Sequence, residues 1–373
     1  MKSAQSPVIT RVDAMGVAIP LKKPMRMAGV RITHAENLIV RIEADNGMVG
    51  WGESASAPTM TGDLVPGMLC AVEQFFKPLL IGKEIFERNT LMQQVHRAVL
   101  RNSGAKCAVD SALLDLCGKT MEMPVYELLG GARRRELRPM HLLGNDSIDE
   151  DVKEARAKMA DGISFFKIKV GVKPTEQEVE STRLLRQALG PEAILCADGN
   201  MGLSADQVIA YCDQVAEQNL LFLEQPLRSD NLQGMADLAS RLSIPICADE
   251  SVGSTADMMQ LKTSGAASGV NLKIIKFGGL AAVVHASHLC EEIGFAINLA
   301  CKVGESSIAA AGISQIGYVM SNLDWGISMT NHYLADDLVL EPVAPVNGVI
   351  RIDRKPGLGI TVDEQKVQKY RTH

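Results

Sequence analysis

The chain has 373 residues, of which 46% are hydrophobic and 22% charged, and its formal net charge is −6. This composition is typical of a folded globular protein, and the length suits a barrel of about 250 residues plus a second module. The negative charge disfavours nucleic acid as the main partner, since phosphate binding requires a basic surface. The first residues lack the apolar segment of a signal peptide and no stretch reaches transmembrane length, so we expect a cytoplasmic protein without a membrane partner. The eight cysteines show no CxxC pair and no zinc-like spacing, which predicts reduced thiols.

The N-terminal part of the chain has the pattern of a β-meander followed by helices. Residues 38–42 and 49–53 are predicted strands, and Asp45-Asn46-Gly47 between them is a turn signal. The polar stretches 22–34 and 54–63 are predicted loops. Farther along, apolar residues recur at helical spacing and predict a helix, with one face formed by Ala105, Ala108, Val109, Ala112, Leu113 and Leu116.

After about residue 135, short apolar segments alternate with amphipathic helical segments, which predicts βα units around a parallel sheet. About eight units fit between residues 135 and 345, and this favours a (β/α)₈-type barrel over a doubly wound sheet. No GxGxxG motif follows a strand and no P-loop is present, which disfavours the nucleotide-binding α/β folds. The turn-rich segment 356–360 is predicted to lead into a strand that returns to the N-terminal module. The strand candidates of the barrel are Phe165–Val170, Ile194–Ala197, Leu221–Leu223, Ile244–Ala248, Val270–Ile275 and Phe295–Leu299.

Five consecutive strand candidates end in charged residues. These residues are Lys167 and Lys169, Asp198, Glu224, Asp249 and Lys273. A single charge at a strand end is usually a solvated loop residue. In a barrel, however, the carboxyl ends of all strands meet at one mouth, which is where active sites lie. The repetition therefore predicts a catalytic cluster.

The three acids Asp198, Glu224 and Asp249 offer only oxygen ligands, which suits Mg²⁺ with water and substrate as the remaining ligands. Zinc would favour histidine or cysteine beside them. Three solvated acids without a metal are the alternative, but three anions in a partly buried cleft repel one another.

The lysines come from both sides of this run of acids. Lys167 and Lys169 are two residues apart on one strand and point to the same face. Two ammonium groups near a divalent cation are expected to have lowered pKa values, so that a lysine can accept a proton at neutral pH. Lys273 would reach in from the far side, so that a substrate between them could exchange protons on both faces. Lysines that merely balance the acids are the alternative.

Five motifs that carry these residues resemble, in their order, the enolase superfamily and most closely its muconate lactonizing enzyme (muconate cycloisomerase) subgroup. They are KIKVG at 167–171, ADGN at 197–200, EQP at 224–226, ADES at 248–251 and KIIKFGG at 273–279. The resemblance covers nearly the whole chain. It implies a (β/α)₇β TIM-like barrel over residues 134–345 and an N-terminal α+β capping domain over residues 1–133, completed by residues 346–373.

The resemblance also implies roles for single residues. The superfamily uses Mg²⁺ to stabilise the enolate formed when a proton α to a carboxylate is removed. Mandelate racemase-like members have a histidine–aspartate dyad where this chain has Lys273, and no histidine lies near Glu305, which supports the subgroup. The implied metal ligands are Asp198, Glu224 and Asp249. The implied catalytic residues are Lys169 as general acid/base, Lys167 as its electrostatic partner, Lys273 on the opposite face and Glu305 at the end of the seventh strand.

The resemblance leaves several activities open. The first hypothesis is a cycloisomerase of a muconate-like dicarboxylate, in which Lys169 protonates the enolate formed by ring closure. The alternative is a racemase or epimerase of N-acyl amino acids or dipeptides, with Lys169 and Lys273 acting on opposite faces. A hydroxy-acid dehydratase is a third alternative. A non-catalytic protein is disfavoured because every acid, base and ligand position is filled.

Substrate contacts are expected on the capping domain and the last barrel strands. The basic stretch 22–34 suits a second anionic group, and Lys302 is either a third cation in the site or points outward. Asn322-Leu323-Asp324 matches half of the Asp-x-Asp with which dipeptide epimerases hold a substrate ammonium near the eighth strand. The expected partners are a small carboxylate substrate and, from the resemblance, further copies of the chain in a dimer or octamer. The candidate substrate contacts are Arg26, Met60, Asn200, Lys302 and Asp324.

Overall fold

The computed structural model describes residues 6–27, 30–351 and 353–372, without the side chains of residues 26, 27, 30 and 31. In this part of the chain, a three-stranded antiparallel sheet with its helices precedes a closed barrel of eight parallel strands. None of the helices that the structure describes is long and apolar enough to cross a membrane.

The N-terminal sheet is a meander, and the predicted strands at 38–42 and 49–53 are confirmed. Its strands are β1 (Ile9–Met27), β2 (Val30–Ala44) and β3 (Val49–Ala55). The turn between β2 and β3 has Gly47 at φ +78°, in the left-handed region that glycine adopts without strain.

The prediction of a loop over residues 22–34 is wrong. Pro20 pairs with His34 and Met25 with Ile32, so that β1 and β2 continue through this stretch as a hairpin. Met25 and Ile32 are partly buried against the main hydrophobic core. These two apolar residues anchor a hairpin whose basic, proline-containing sequence resembles a loop.

The helix Ser103–Thr120 packs on β3 and is buried along nearly its whole length, which confirms the predicted helix with its apolar residues. Close approach requires glycine on the strand, because a Cβ at Gly52 would lie 1.9 Å from the carbonyl oxygen of Ala108. The helices of this module are Val65–Cys70, Lys77–Leu80, Arg88–Ala98, Ser103–Thr120 and Val125–Leu128, with a π-helical turn at Ala71–Phe76 and a 3₁₀ turn at Ile85–Glu87.

The barrel closes in the strand order β10-β11-β4-β5-β6-β7-β8-β9. Its strands are β4 (Pro139–Leu143), β5 (Phe165–Lys169), β6 (Ile194–Asp198), β7 (Leu220–Glu224), β8 (Ile246–Ala248), β9 (Gly269–Leu272), β10 (Ala296–Ala300) and β11 (Ile327–Ser328). The seven helices that connect them are Ile148–Ala160, Thr175–Leu189, Ala205–Val215, Leu232–Arg241, Thr255–Ser264, Leu280–Ile293 and Ser307–Val319. Shorter elements are the helix Ile274–Phe277 and the 3₁₀ turns Ala216–Gln218 and Asn331–Tyr333. The predicted (β/α)₇β barrel with an N-terminal α+β domain is confirmed.

Three details of the barrel differ from the sequence prediction. The first strand, β4, and the last, β11, were not among the strand candidates. The predicted strand Val270–Ile275 already ends at Leu272, because a short helix begins at Ile274 and stops at Gly278, which has φ +82°. Short strands such as β11, with two residues, carry too little periodicity to be recognised.

Large side chains fill the barrel interior at the end where the strands begin. Phe222 and Trp325 stack there with ring centroids 4.6 Å apart. Trp325 also fits against Gly269, where a Cβ would lie 2.6 Å from its ring. The cluster consists of Met140, Phe165, Cys196, Phe222, Cys247 and Trp325. This floor leaves the opposite end of the barrel for polar side chains.

The C-terminal segment contacts the N-terminal module. The backbone N–H of Leu358 donates to Asp115 Oδ1 in the long capping helix, and that of Thr372 donates to the carbonyl of Gly16 in β1. The strand expected after residue 360 is absent from the described part of this segment, which instead ends in the helix Glu364–Lys369. The limits of the capping domain and barrel stay predictions.

Candidate active site

Three carboxylates lie at the carboxyl ends of three neighbouring strands. Asp198 and Glu224 are the last residues of β6 and β7, and Asp249 follows β8 directly. Their exposed fractions are 3%, 1% and 1%. Burial of three acids together is unfavourable unless cations or hydrogen-bond donors compensate for the lost hydration.

Lysine ammonium groups supply that compensation from both sides. Lys167 and Lys169 on β5 flank the acids on one side, and Lys273 after β9 flanks them on the other. The distance from the lysine nitrogen to a carboxylate oxygen is 2.6 Å for Lys169 and Asp198, 2.5 Å for Lys167 and Glu224, and 2.5 Å for Lys273 and Asp249. The structure therefore brings all six predicted strand-end residues into one cluster.

A fourth lysine, Lys276, belongs to the cluster, although the sequence analysis gave it no role. Its ammonium group lies 2.7 Å from Asp249 Oδ1 and also donates to the carbonyls of Asp249 and Asn271. Lys276 follows Lys273 by three residues, a spacing that places both on one side of the short helix 274–277. That spacing was the available sequence signal.

Two asparagines orient the charged groups. Asn271 donates to Glu224 Oε1 at 2.9 Å, and Asn200 donates its backbone N–H to Asp198 Oδ1 at 3.0 Å. The side-chain oxygen of Asn200 also accepts a hydrogen bond from Lys169. Asn200 thus holds two cluster members in place, and its predicted contact with substrate stays a prediction.

Burial and charge shift the pKa values of the cluster in opposite directions. Burial by itself lowers the pKa of Lys167, but the negative charges of Glu224 and Asp198 outweigh it and raise that pKa above its usual value. The same balance, with Asp249 as the main anion, raises the pKa of Lys273. The lowering of the lysine pKa values that is expected beside a divalent cation stays a prediction.

The acids respond to these cations and to one another. Burial raises the pKa of Asp249, yet Lys273 and Lys276 together hold it well below its usual range. For Glu224 burial prevails, and the charges of Asp198 and Asp249 add to it, so its pKa is raised. The nearby lysines therefore do not fully offset the effect of burial and of the other two acids on the pKa of Glu224.

The donor chemistry of this cluster fits a hard divalent cation, since it offers six carboxylate oxygens on three buried side chains. As the side chains stand, however, no group of three or more Asp, Glu, His or Cys residues within the described chain could hold a metal ion. An ammonium group lies against at least one oxygen of each acid.

A fourth acid, Glu250, lies beside the cluster and was also missed. Burial and the charge of Asp249 raise its pKa to about 7. Its Oε1 accepts from Asn200 at 3.4 Å, and its Oε2 has no hydrogen-bond partner among the described residues. A buried carboxyl oxygen without a donor is available to a proton or a ligand at this mouth.

Comparison with known protein families agrees with this geometry. A family model described as the enolase C-terminal domain-like family matches residues 150–366. A second, the N-terminal domain of the mandelate racemase/muconate lactonizing enzyme family, matches residues 9–130. The chain belongs to this family of the enolase superfamily.

Relatives in the mandelate racemase/muconate lactonizing enzyme family have different activities. Muconate cycloisomerase 1 of Pseudomonas putida is 29% identical, with 98% of this chain and 99% of that protein aligned. L-Ala-D/L-Glu epimerase of Clostridium acetobutylicum is also 29% identical, over 92% of this chain and 96% of that protein. The crystal structure of N-succinyl Arg/Lys racemase from Bacillus cereus has a TM-score of 0.92 at 25% identity and covers 98% of both chains. All three are isomerases by name, which confirms the predicted enzyme class and leaves the reaction of this family member open.

The loop after the seventh barrel strand carries Lys302 and Glu305. Glu305 is fully buried, its Oε2 accepts the backbone N–H of Lys302 at 2.8 Å, and burial raises its pKa to about 7. Lys302 lies close enough to Lys273 for the positive charge of Lys273 to add to burial in lowering the pKa of Lys302. Of the two orientations left open for Lys302, this proximity supports the inward one.

Glu53 of β3 connects the capping domain to this loop, a role that sequence reasoning missed. Its carboxylate accepts the backbone N–H and hydroxyl of Ser306 at 2.9 and 2.7 Å, and the backbone N–H of Ala309 at 3.0 Å. Asn37 of β2 donates to the same carboxylate and to the carbonyl of Gly304. No local pattern in the sequence indicates these contacts, because the partners are about 250 residues apart.

The prediction that Asp324 contacts the substrate is wrong. Asp324 precedes β11, beside Trp325 of the barrel floor, and its charge acts on Arg134 at that end. The active-site cluster lies at the opposite end of the strands. The sequence located the eighth strand only approximately and could not show on which side of it Asp324 falls.

The two remaining candidate contacts lie in the capping domain. Met60 is half-buried and packs against the main core, in the turn that follows β3. Arg26 lies at the tip of the β1–β2 hairpin, and its side chain is outside the described residues. Their contact with a substrate stays a prediction.

Proposed function

We propose that the protein is a Mg²⁺-dependent isomerase that transfers a proton at the carbon next to a substrate carboxylate, and specifically a muconate-type cycloisomerase. The observation that carries the proposal is the placement of lysines on both sides of three buried carboxylates. Such a site can bind a substrate carboxylate through a cation while a lysine reaches the neighbouring carbon.

Asp198, Glu224 and Asp249 would hold Mg²⁺, which when bound supplies the positive charge that stabilises an enolate. The residues of the chain supply the other functions. Asn271 and Asn200 fix the orientation of Glu224 and Asp198. Lys167 stays with Glu224 and adds positive charge, whereas Lys169 is the less enclosed lysine, with 25% of its side chain exposed against 7% for Lys167.

Lys169 is accordingly the proton donor in the proposed reaction. In lactonisation, one carboxylate oxygen of the dicarboxylate forms a C–O bond to a carbon of the conjugated double bonds. The electron pair of that double bond moves to the carbon next to the other carboxylate, giving an enolate. Transfer of a proton from the Lys169 ammonium group to this carbon forms the new C–H bond and leaves a neutral amine.

The end of the eighth strand favours an anionic substrate over one with an ammonium group. The mouth-facing end of β11 is followed by Met329 and Thr330, and residues 328–330 include no acid. An epimerase of dipeptides would need an anion there, as the Asp-x-Asp of dipeptide epimerases indicates. A dicarboxylate or an N-acylated amino acid has no such requirement.

A racemase of N-acyl amino acids is the second candidate. It is favoured by the presence of a lysine on each flank, Lys169 on β5 and Lys273 after β9, and by the similarity to N-succinyl Arg/Lys racemase. In that reaction one lysine removes the α-proton and the other returns a proton to the opposite face.

Proton NMR in D₂O with Mg²⁺ distinguishes these reactions. We expect cis,cis-muconate to give a lactone with one solvent deuteron, and Lys169→Ala to abolish it. Lys153→Ala, an exposed lysine on a barrel helix, is the matched control. Exchange of the α-proton of N-succinyl or dipeptide substrates without a lactone would instead establish a racemase or epimerase. If no substrate exchanged, hydroxy acids would test the dehydratase.

A further inference from the structure

The loop after β10 carries a half-buried lysine, Lys302, near the catalytic cluster. Residues on β10 alternate between two surroundings. Ile297 and Leu299 belong to the main hydrophobic core, whereas the Asn298 side chain donates to the carbonyl of Trp325 in the barrel floor. Cys301 also belongs to that core, so Lys302 falls on the same side as Asn298. The positive charge of Lys273 contributes to lowering the pKa of Lys302. Both observations place the Lys302 ammonium group toward the barrel mouth.

This ammonium group has no strong partner within the described chain. Its one hydrogen bond reaches the carbonyl of Val303 at 3.4 Å, and it forms no ion pair within 4.0 Å of a described acid. Glu305 and the exposed Glu36 are the acids near enough to affect it. The Oε2 of Glu305, however, accepts the backbone N–H of Lys302 rather than its ammonium group. A half-buried cation without a counter-ion has lost part of its hydration without compensation, so an anion that enters the mouth would be stabilised there.

The loop that carries Lys302 is held rigidly from two directions. The carbonyl of Lys302 accepts the Thr330 hydroxyl at 2.7 Å, which ties the loop to the eighth strand. On the other side, Asn37 and Glu53 of the capping domain fix Gly304 and Ser306. These contacts fix the backbone from which the Lys302 side chain extends, so the loop need not be ordered when an anion binds.

We propose that Lys302 binds a second, distal carboxylate of the substrate. The first carboxylate would lie across the mouth, bound through the cation that Asp198, Glu224 and Asp249 would hold. The substrate class is therefore a dianion with its carboxylates at opposite ends. This subsite rests on the proposed function only in taking the lysine–carboxylate cluster as the active site, and it applies to lactonisation and to racemisation of N-succinyl amino acids alike.

Calorimetric binding of unreactive acids tests the subsite without turnover. The probes are adipate, which has a carboxylate at each end of six carbons, and hexanoate, which has one, both with Mg²⁺ present. We expect the wild-type protein to bind adipate about 10- to 100-fold more tightly than hexanoate, the range for one charged hydrogen-bonded contact. Lys302→Met should abolish this preference, and Lys302→Arg should keep most of it.

Lys153→Met is the matched control, because Lys153 lies exposed on a barrel helix far along the chain from the Lys302 loop, and it should leave the preference unchanged. Wild-type protein that binds both acids equally, or a preference that survives in folded Lys302→Met or Lys302→Gln, would overturn the subsite. The cycloisomerase proposal is judged separately. A Lys302-dependent adipate preference without any lactone from cis,cis-muconate refutes only the cycloisomerase, and lactone formation without that preference refutes only the subsite.

Discussion

Two arcs of the barrel mouth are built in different ways. From β5 to β9, the six predicted charges lie at or just beyond strand ends, and each contacts an oppositely charged neighbour, as Lys169 contacts Asp198. From β10 to β11, the mouth is a loop that carries Lys302 and Glu305 and that is held by Asn37 and Glu53 of the capping domain.

This difference shows which part of the site is positioned by the barrel strands and which part also depends on the capping domain. Charges at strand ends are positioned by the strands themselves and need no other domain. A loop held by the capping domain can change with that domain while the cluster stays intact. Chemistry and substrate choice can therefore vary independently in this architecture.

The largest expected effect distinguishes the lysines on the two flanks of the β5–β9 arc, Lys169 and Lys273. Lys169→Ala should lower kcat on cis,cis-muconate by about 10²- to 10⁴-fold, the usual contribution of a general acid or base. Lys273→Met should cost at least tenfold less, because lactonisation needs a proton donor on one face only. Steady-state kinetics at saturating Mg²⁺ measure both. Equal losses would show that both faces exchange protons and would favour the racemase.

The next effect concerns the ion pairs of the same arc. Asp249→Asn leaves Lys273 and Lys276 buried without their carboxylate, and removal of one partner from buried ion pairs costs about 3–5 kcal/mol. Urea unfolding should show a loss of that size, whereas Asp213→Asn, at an exposed helix position, should show almost none. A loss below about 1 kcal/mol would mean that these buried charges are not mutually stabilising.

The arc from β10 to β11 should contribute a pH dependence of stability through Glu305. The pKa of Glu305 is raised to about 7, mainly by burial and despite the opposing charge of Lys302. A raised carboxyl pKa favours the neutral form, so this contribution to stability is complete below the unfolded value of 4.5 and is lost as pH rises to about 7.

Relative to Glu305→Gln, the wild-type free energy of unfolding should therefore fall by about 2–3 kcal/mol between pH 4.5 and 7, at about 1.4 kcal/mol per pKa unit. Chemical denaturation at several pH values measures it. Glu341→Gln, at an exposed acid, should keep the wild-type slope. Parallel profiles for wild type and Glu305→Gln would show that Glu305 is ionised in the folded protein throughout this range.

The smallest expected effect lies outside both arcs. Asp324→Asn, at the floor end of the barrel, should change kcat/KM by less than about twofold, as for most surface substitutions. Steady-state kinetics with the accepted substrate check this. A loss of tenfold or more would mean that the substrate interacts with the floor end, contrary to the position of Asp324 beside Trp325.

The charged residues of the β5–β9 arc could be predicted in outline because their positions follow from strand alternation and from the repeat of βα units. Alternation along β5 puts Lys167 and Lys169 on one face, and the repeat of βα units brings Asp198 and Glu224 to one end of the barrel. The roles of single residues came from the resemblance to the enolase superfamily. Lys276 escaped notice because its contact with Asp249 depends on a short helix where the sequence predicted more strand.

By itself, the sequence determined the fold class, the family and the identity of the charged cluster, since each follows from periodicity or from motifs of a few adjacent residues. Only the tertiary structure decided that residues 22–27 and 30–34 continue the pairing of β1 and β2, that Asp324 lies at the floor, and that Lys302 lies near enough to Lys273 for its pKa to be affected. It also decided that the capping domain holds the Lys302 loop through Glu53. These features depend on contacts between segments far apart in the chain, and their strength comes from burial, which no short stretch of sequence specifies.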